Sequence, residues 1–275
     1  MSKKILSLGF GSLLATAVTA MALPTPSTLW ELNGDLDTSI STTGTTDPLG
    51  AVGGWTPSYE LVSGGAGAEV LVVPALNSSQ WLFADTDDLP ANGGAGAGFV
   101  NNYTIVLDIK YASIGGFQSI YQTNASNSND GDSFVDGSGG VGISGDYAGT
   151  IAADTWYRLT IVNNFNDSSA GLPTVDTISY FLDGTLVNEA ENLSQDGRWS
   201  LYPDSSANGV LLLADESGET GEARLNNVAL YDRALSTSEI SDLGAANAAI
   251  PEPASGMLAG LAALAWIARR RRIRR

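Results

Sequence analysis

Two short stretches of this sequence are rich in side-chain oxygens that suit a hard metal ion. One stretch, 215–222, contains four carboxylates, and the other contains carboxylates and amides around position 130. The candidate ligands are Asp215, Glu216, Glu219, Asn129, Asp130 and Asp132. Because Ca²⁺ prefers several such oxygens, we expect calcium if the fold joins the two stretches. The spacing does not match an EF-hand, and solvated acidic loops are the alternative.

The residue types that are absent limit the possible catalytic chemistry. The 275-residue chain contains no histidine and no cysteine. It therefore lacks imidazole bases, thiolate nucleophiles, disulfides and the usual zinc ligands. Glycoside hydrolysis by two carboxylates remains chemically available. No stretch has the Glu-x-Asp-x-x-Glu spacing common among such enzymes, so we expect a protein that is not an enzyme.

Aromatic side chains near predicted loops provide a second kind of candidate site. The four residues are Trp81, Tyr121, Tyr147 and Trp199. Their rings could stack on sugar rings in a binding site. Packing of these rings in the core or in hairpins is the alternative for each of them.

Both ends of the chain have the features of an exported protein. Lys3 and Lys4 precede an apolar stretch, and Ala20-Met21-Ala22 provides small residues for cleavage before Leu23. This pattern predicts a secretory signal peptide over residues 1–22. At the other end, 15 apolar residues at 254–268 precede six arginines. We expect a short transmembrane helix in the inner membrane with its arginines in the cytoplasm.

Removing these two ends reveals a strongly acidic body. Five basic residues remain against all 30 acidic residues, which gives a net charge of −25 for the predicted exported form. Such a surface repels nucleic acid and anionic membranes, and it favours solubility and cation binding. We therefore expect no nucleic-acid partner.

Residues 23–246 of this body read as one all-β domain. In the segment 103–111 every second residue is apolar or aromatic, which predicts a strand with one buried face. Asp183-Gly184 predicts a hairpin with a type I′ turn. Ser236 as N-cap, with Glu239 three residues later, predicts one short helix that buries Ile240 and Leu243. Many short strands and no βαβ spacing predict an antiparallel β-sandwich.

The C-terminal segment 247–275 resembles a known sorting signal. Pro251-Glu252-Pro253, a short apolar helix and an arginine-rich end resemble the PEP-CTERM signal of Gram-negative bacteria. The resemblance implies that the secretion machinery exports the chain and that an exosortase processes it near this motif. The processed protein would reach the cell surface or the extracellular matrix. A permanent anchor that is never cut is the alternative.

The body resembles laminin-G-like, or concanavalin A-like, jelly-roll domains. The resemblance rests on the segments 102–105, 155–159, 180–187 and 228–236, of which the closing Val228 to Ser236 is the most specific. It implies an antiparallel jelly-roll β-sandwich and a calcium site at its rim. With export toward exopolysaccharide, it also implies a polysaccharide ligand or an adhesion role. The alternatives are a concanavalin A-like glycoside hydrolase and a structural surface protein that binds another protein.

Overall fold

The computed structural model describes residues 23–42, 47–62, 69–86, 89–92, 98–165, 176–191, 193, 196–202 and 209–246. The predicted signal peptide and the predicted sorting segment, with its transmembrane helix and Pro251, Glu252 and Pro253, lie outside these residues. Within the described ranges, no helix is both long enough and apolar enough to cross a membrane.

The described chain forms strands and one short helix. In chain order these are β1 (Thr28–Glu31), β2 (Ile40–Ser41), β3 (Gly50–Val52), β4 (Ser58–Leu61), β5 (Glu69–Val73), β6 (Trp81–Asp85), β7 (Asn102–Tyr111), β8 (Gln118–Gln122), β9 (Ser133–Val135), β10 (Val141–Ile143), β11 (Asp146–Ala148), β12 (Tyr157–Asn164), β13 (Thr177–Leu182), β14 (Thr185–Glu191), β15 (Gly209–Leu212), β16 (Ala223–Tyr231) and α1 (Thr237–Leu243).

The strands form two antiparallel sheets. The larger sheet has nine strands and the order β14-β13-β12-β7-β16-β1-β2, with β5 also paired to β16 and β4 paired to β5. The smaller sheet has seven strands in the order β11-β10-β9-β8-β15-β6-β3. Strands distant in sequence are neighbours in both sheets. The predicted all-β jelly-roll sandwich is therefore confirmed.

One hydrophobic core lies between the two sheets. From β7 it receives Tyr103, Ile105, Leu107 and Ile109, which are fully buried as the alternation predicts. Each such side chain stabilises the fold by about 1.5–3 kcal/mol relative to an exposed position. The central position of β7, between β12 and β16, explains why its apolar residues are so deeply buried.

A second apolar cluster covers the outer face of the nine-stranded sheet. Ile240 and Leu243 of α1 pack there with Val106 and Phe181. As a result the other face of β7 is also buried, including Asp108. The prediction that only one face of this strand is buried was wrong, because a helix from the end of the domain covers the second face.

The helix and the hairpin form as their local sequences predict. At α1, the Ser236 side chain accepts a hydrogen bond from Glu239 N, and the Glu239 side chain accepts one from Ser236 N, which completes a capping box. In the β13–β14 turn, Asp183 and Gly184 have φ values of 48° and 81°. Positive φ at both central residues is the requirement of a type I′ turn.

Candidate functional site

Two loops of the seven-stranded sheet meet beside β8. One connects β8 to β9 over residues 123–132, and the other follows β15 over residues 213–222. Gly131 N donates to Asp215 Oδ2 at 3.2 Å, and Asn127 Nδ2 donates to the Asp215 carbonyl oxygen at 3.1 Å. The two stretches that the sequence singled out are therefore in direct contact.

Three of the six predicted metal ligands come together at this junction. Asp130, Asp215 and Glu219 each have a carboxylate oxygen within 4.8 Å of one from the other two. Asp130 is exposed, Glu219 is half-buried and Asp215 is buried. We call these three residues the acidic cluster. Three hard oxygen donors at this spacing fit one Ca²⁺ whose remaining positions would be filled by other oxygens.

The loop backbone holds Asp215 in its ionised form. Its Oδ1 accepts hydrogen bonds from Ser217 N at 2.9 Å, Ser217 Oγ at 2.6 Å and Glu219 N at 3.1 Å. Burial alone would raise the pKa of Asp215, but these hydrogen bonds outweigh it and hold the pKa below its usual value. Partial burial, followed by the charges of Asp215 and Asp130, raises the pKa of Glu219. A cation would relieve this repulsion.

The other predicted ligands lie outside the acidic cluster as defined above. Glu216 is exposed next to Asp215, and Asn129 lines a neighbouring cleft. Asp132 is 1% exposed, and its two oxygens accept hydrogen bonds from Thr123 and Arg198. Its prediction as a calcium ligand is corrected, because its oxygens already bind protein groups in the interior.

A cleft of about 220 Å³ lies next to the acidic cluster. It is lined by Thr123, Asn124, Asn129, Asp132, Arg198 and Tyr202, which we call the Arg198 cleft. Four of these residues come from the loop after β8 and two from the segment 196–202. The segment 196–202 is tied to the nine-stranded side of the sandwich, since Val100 and Leu201 exchange backbone hydrogen bonds.

Hydrogen bonds orient Arg198 across the cleft. Its Nε donates to Asp132 Oδ1 at 2.7 Å, and its Nη2 donates to the carbonyl oxygens of Asp130 at 2.6 Å and Gly131 at 2.5 Å. The Arg198 carbonyl oxygen accepts from Thr123 Oγ1 at 2.5 Å. The guanidinium group is thus held rigidly, while about a third of the side chain stays exposed.

The cleft also contains polar groups that have no partner among the described residues. These are the side-chain amide of Asn129, Asn124 Nδ2, the Tyr202 hydroxyl and Arg198 Nη1. Tyr202 is 42% exposed, and its ring lies 4.9 Å from that of Phe99 in an edge-to-face arrangement. A ring held by a neighbour and flanked by amides offers both stacking and hydrogen bonding to a ligand.

The four aromatic residues proposed for stacking lie outside this cleft. Tyr121 is fully buried and donates from its hydroxyl to Asn163 Oδ1 at 3.1 Å, so its prediction as a ligand contact is corrected. Tyr147 and Trp199 are half-buried against the core, and the Arg198 guanidinium lies 5.9 Å from the Trp199 ring. Trp81 is half-buried in β6, three strands from β9 across the sheet.

Sequence reasoning missed Arg198, Tyr202, Thr123 and Asn124 as cleft residues. The only local signal was the polar composition of the loop that begins at Asn124. Arg198 is 66 residues from its partner Asp132, and nothing in the sequence around it indicates that pairing.

A wider groove of about 530 Å³ lies on the outer face of the nine-stranded sheet, beside the start of α1. Its lining includes apolar Val162, Phe181 and Leu186, with Glu189 and Glu191 among the polar residues. No basic side chain is among its lining residues. The Arg198 cleft has a more polar lining and is the better candidate for a polar ligand.

Comparison with known proteins identifies the C-terminal signal. Residues 249–272 match the family model described as the PEP-CTERM protein-sorting motif. This match covers Pro251, Glu252 and Pro253 and agrees with the sorting signal that the sequence predicts. A search of curated proteins found no match.

Solved structures share the fold of the body. Domain 4 of AbnA, an extracellular GH43 arabinanase from Geobacillus stearothermophilus in complex with arabinotriose, is 14% identical. The match covers 81% of this chain and 100% of that domain, with a TM-score of 0.53. The receptor-binding domain of botulinum neurotoxin mosaic serotype C/D is 10% identical with a TM-score of 0.50. That match covers 80% of this chain and 50% of the toxin domain.

These findings define the class of protein first. The fold is a jelly-roll β-sandwich that this chain shares with the arabinanase domain and the toxin domain, and identities of this size establish the fold alone. The sorting motif then specifies the chain further. It is an exported protein that is anchored in the membrane before an exosortase processes it and that then lies at the cell surface.

Proposed function

We propose that this exported sandwich is a non-enzymatic carbohydrate-binding module of the cell surface or extracellular matrix. The Arg198 cleft carries the proposal. It combines the exposed Tyr202 ring with the free amides of Asn124 and Asn129, all on loops held by a rigid sandwich. Sugar recognition uses this combination of a stacking face and convergent hydrogen-bonding groups. The structural neighbour bound to arabinotriose is consistent with this use of the fold.

Binding is favoured over hydrolysis by the carboxylates of the cleft. Asp132 is the one carboxylate among its described lining residues, and Thr123 and Arg198 occupy its oxygens. Hydrolysis of a glycosidic bond by the usual mechanism needs two carboxyl groups on either side of the sugar. A protein-binding role is the remaining alternative, and the same cleft would then contact a partner protein.

A glycan array probed with the exported protein recovered from its cells tests the proposal. We expect saccharide binding, and Tyr202→Ala should weaken it about tenfold through loss of ring contact. Phe117→Ala is a matched control, because Phe117 is 45% exposed against 42% for Tyr202 and lies outside the cleft. Its affinity should stay at the wild-type value.

Three results would contradict the proposal. The first is the absence of any saccharide binding, and the second is equal loss of affinity in the Tyr202 and Phe117 variants. The third is release of reducing sugar from a bound polysaccharide, which would favour the hydrolase. Capture of a protein partner without glycan binding would favour the structural alternative.

We also propose that the acidic cluster binds Ca²⁺, as the sequence predicts. The supporting observation is the convergence of Asp130, Asp215 and Glu219 within 4.8 Å. Calorimetric titration with calcium should release or absorb heat, and calcium should raise the melting temperature relative to chelator. Glu219→Gln should abolish both effects, whereas Glu191→Gln, on β14, should change neither. No heat and no melting shift in the wild type would disprove the calcium site.

A further inference from the structure

We infer that the Arg198 cleft selects an uncharged saccharide and discriminates against sugars that carry a carboxylate. This inference rests on the proposed function and adds the chemical class of the ligand. An exposed arginine ordinarily favours an acidic ligand. The hydrogen bonds and charges around Arg198 lead to the opposite conclusion.

The guanidinium group has no edge left for a carboxylate. A guanidinium group binds a carboxylate with two parallel N–H groups on one of its edges. The two edges that can do so are Nε with Nη2 and Nη1 with Nη2, so both include Nη2. Here the two Nη2 hydrogens go to the carbonyl oxygens of Asp130 and Gly131, and Nε donates to Asp132. Only Nη1 has no hydrogen-bond partner among the described residues. Its N–H groups suit single acceptors, such as a hydroxyl or a ring oxygen.

The positive charge of Arg198 is already balanced. The Asp132 carboxylate lies 2.7 Å from Nε and is 2% exposed at its side chain, so the pair brings no net charge to the cleft. Asp130 belongs to the neighbouring acidic cluster, whose three carboxylates keep a net negative charge even with one Ca²⁺ bound. An acidic sugar would therefore enter a neutral to negative environment.

The remaining basic residues of the body do not compensate for this. Arg158 is buried against Asp108, Arg224 pairs with Glu60 and Glu222, and Arg233 pairs with Glu239. Lys110 lies over the Trp156 ring at 5.7 Å. The predicted exported form, residues 23–253, carries five basic residues against thirty acidic ones. This field repels polyanions at long range and slows their association.

The groups that do remain match neutral sugar hydroxyls. The amides of Asn124 and Asn129 offer N–H donors, and that of Asn129 offers a carbonyl acceptor as well. Neighbouring hydroxyls on a sugar can donate and accept in turn. Tyr202 provides the apolar face against which the C–H side of such a ring packs.

The test is a titration series with matched neutral and acidic oligosaccharides. The exported protein is titrated at low salt with arabino-, xylo- and gluco-oligosaccharides and with oligogalacturonates and their neutral methyl esters. We expect binding by neutral members and at least about tenfold weaker binding by the acidic ones. Equal or stronger binding of an acidic sugar would overturn the inference and leave the proposed function standing. No binding by either class would overturn the proposed function itself.

Asp132→Asn provides a second readout. Asparagine removes the compensating charge, so the cleft becomes more positive, and its single amide oxygen can accept from Arg198 Nε or from Thr123 N but not from both. The ratio of acidic to neutral affinity should then rise about tenfold. An unchanged ratio would overturn the neutralising role of Asp132. A cooperative melting transition above the assay temperature shows that the variant is folded, and Glu191→Gln, which removes a distant carboxylate, controls for net charge.

Discussion

The molecule contains two aspartate–arginine pairs with the same 2.7 Å contact but different surroundings. In the first, Arg158 and Asp108 have side chains that are 1% and 0% exposed, between the nine-stranded sheet and α1. In the second, Arg198 and Asp132 are 35% and 2% exposed at the Arg198 cleft. Both pairs join an arginine to an aspartate, and they differ in how much of the arginine side chain solvent can reach.

The hydrogen bonds of the two arginines explain their different roles. Arg158 donates from Nε and Nη2 to the two oxygens of Asp108, and from Nη1 to the carbonyl oxygen of Leu243 at the end of α1. All three nitrogens serve the fold, so this pair fastens the helix to the sheet. Arg198 uses two nitrogens in the same way, and its Nη1 has no hydrogen-bond partner among the described residues. One unused nitrogen separates a structural pair from one that can also bind a ligand.

The largest effect is expected from Arg158→Met. Removing the cation leaves Asp108 buried without a countercharge, which costs about 3–5 kcal/mol of unfolding free energy. Urea denaturation at neutral pH measures the loss. Asp108→Asn combined with Arg158→Met removes both charges and should recover part of it, because Asn227 keeps an acceptor at position 108. A loss below about 1 kcal/mol would contradict the structural role.

The stability of the Arg158→Met variant relative to the wild type should also depend on pH. Burial raises the pKa of Asp108 above its usual value, although Arg158 and Asn227 oppose the shift. A carboxyl group with a raised folded pKa stabilises the fold most when protonated, and this contribution is lost as the pH rises through that pKa. Without Arg158 the pKa rises further. The stability difference between wild type and variant should therefore shrink as the pH falls from neutral toward 3.8, the ordinary pKa.

A smaller loss of stability is expected from Arg198→Met. Asp132 keeps the hydrogen bond from Thr123 N, and water can reach the carbonyl groups that Arg198 releases. We expect a loss of about 1–2 kcal/mol in urea denaturation, together with weaker saccharide binding. A loss of stability as large as that of Arg158→Met would contradict the different roles of the two arginines. Saccharide binding equal to that of the wild type would contradict them as well.

The smallest effect is expected from an exposed pair at α1. Hydrogen bonding from Arg233, with further bonds from Ser236, lowers the pKa of Glu239 to about 2. Glu239→Gln should destabilise the protein by about 1 kcal/mol at neutral pH through the weakened cap. A depressed pKa gives stability that is present above the unfolded value of 4.5 and is lost as the pH falls toward about 2. Thermal melts of both proteins should therefore converge over that interval, and a constant difference would contradict this cause.

Local sequence patterns predicted a good part of the fold. Three features depend only on neighbouring residues, so the sequence alone was enough to predict them. They are the alternation from Tyr103 to Tyr111, the turn at Asp183-Gly184 and the cap at Ser236. The short strands β2, β3, β4 and β11 were missed, because two to four residues carry too little periodicity. The burial of Asp108 was also missed, since its partner Arg158 is 50 residues away.

The candidate sites were predicted by composition and only partly by position. Asp130, Asp215 and Glu219 converge, whereas Asp132 turns inward to Arg198 and Tyr121 points into the core. A count of carboxylates cannot distinguish these cases. Which oxygen is free depends on the backbone N–H groups and the arginine that approach it.

Export, sorting and acidity follow from linear features of the chain, because the secretion machinery reads short segments and charge simply adds along the sequence. The type of fold follows from the period-two pattern of its strands. The arrangement of the sites depends instead on loops that are 84 residues apart at Gly131 and Asp215. The packing of one loop against the other brings the three carboxylates of the acidic cluster together. The segment 196–202 packs beside these loops, where Arg198 pairs with Asp132 and Tyr202 lines the cleft.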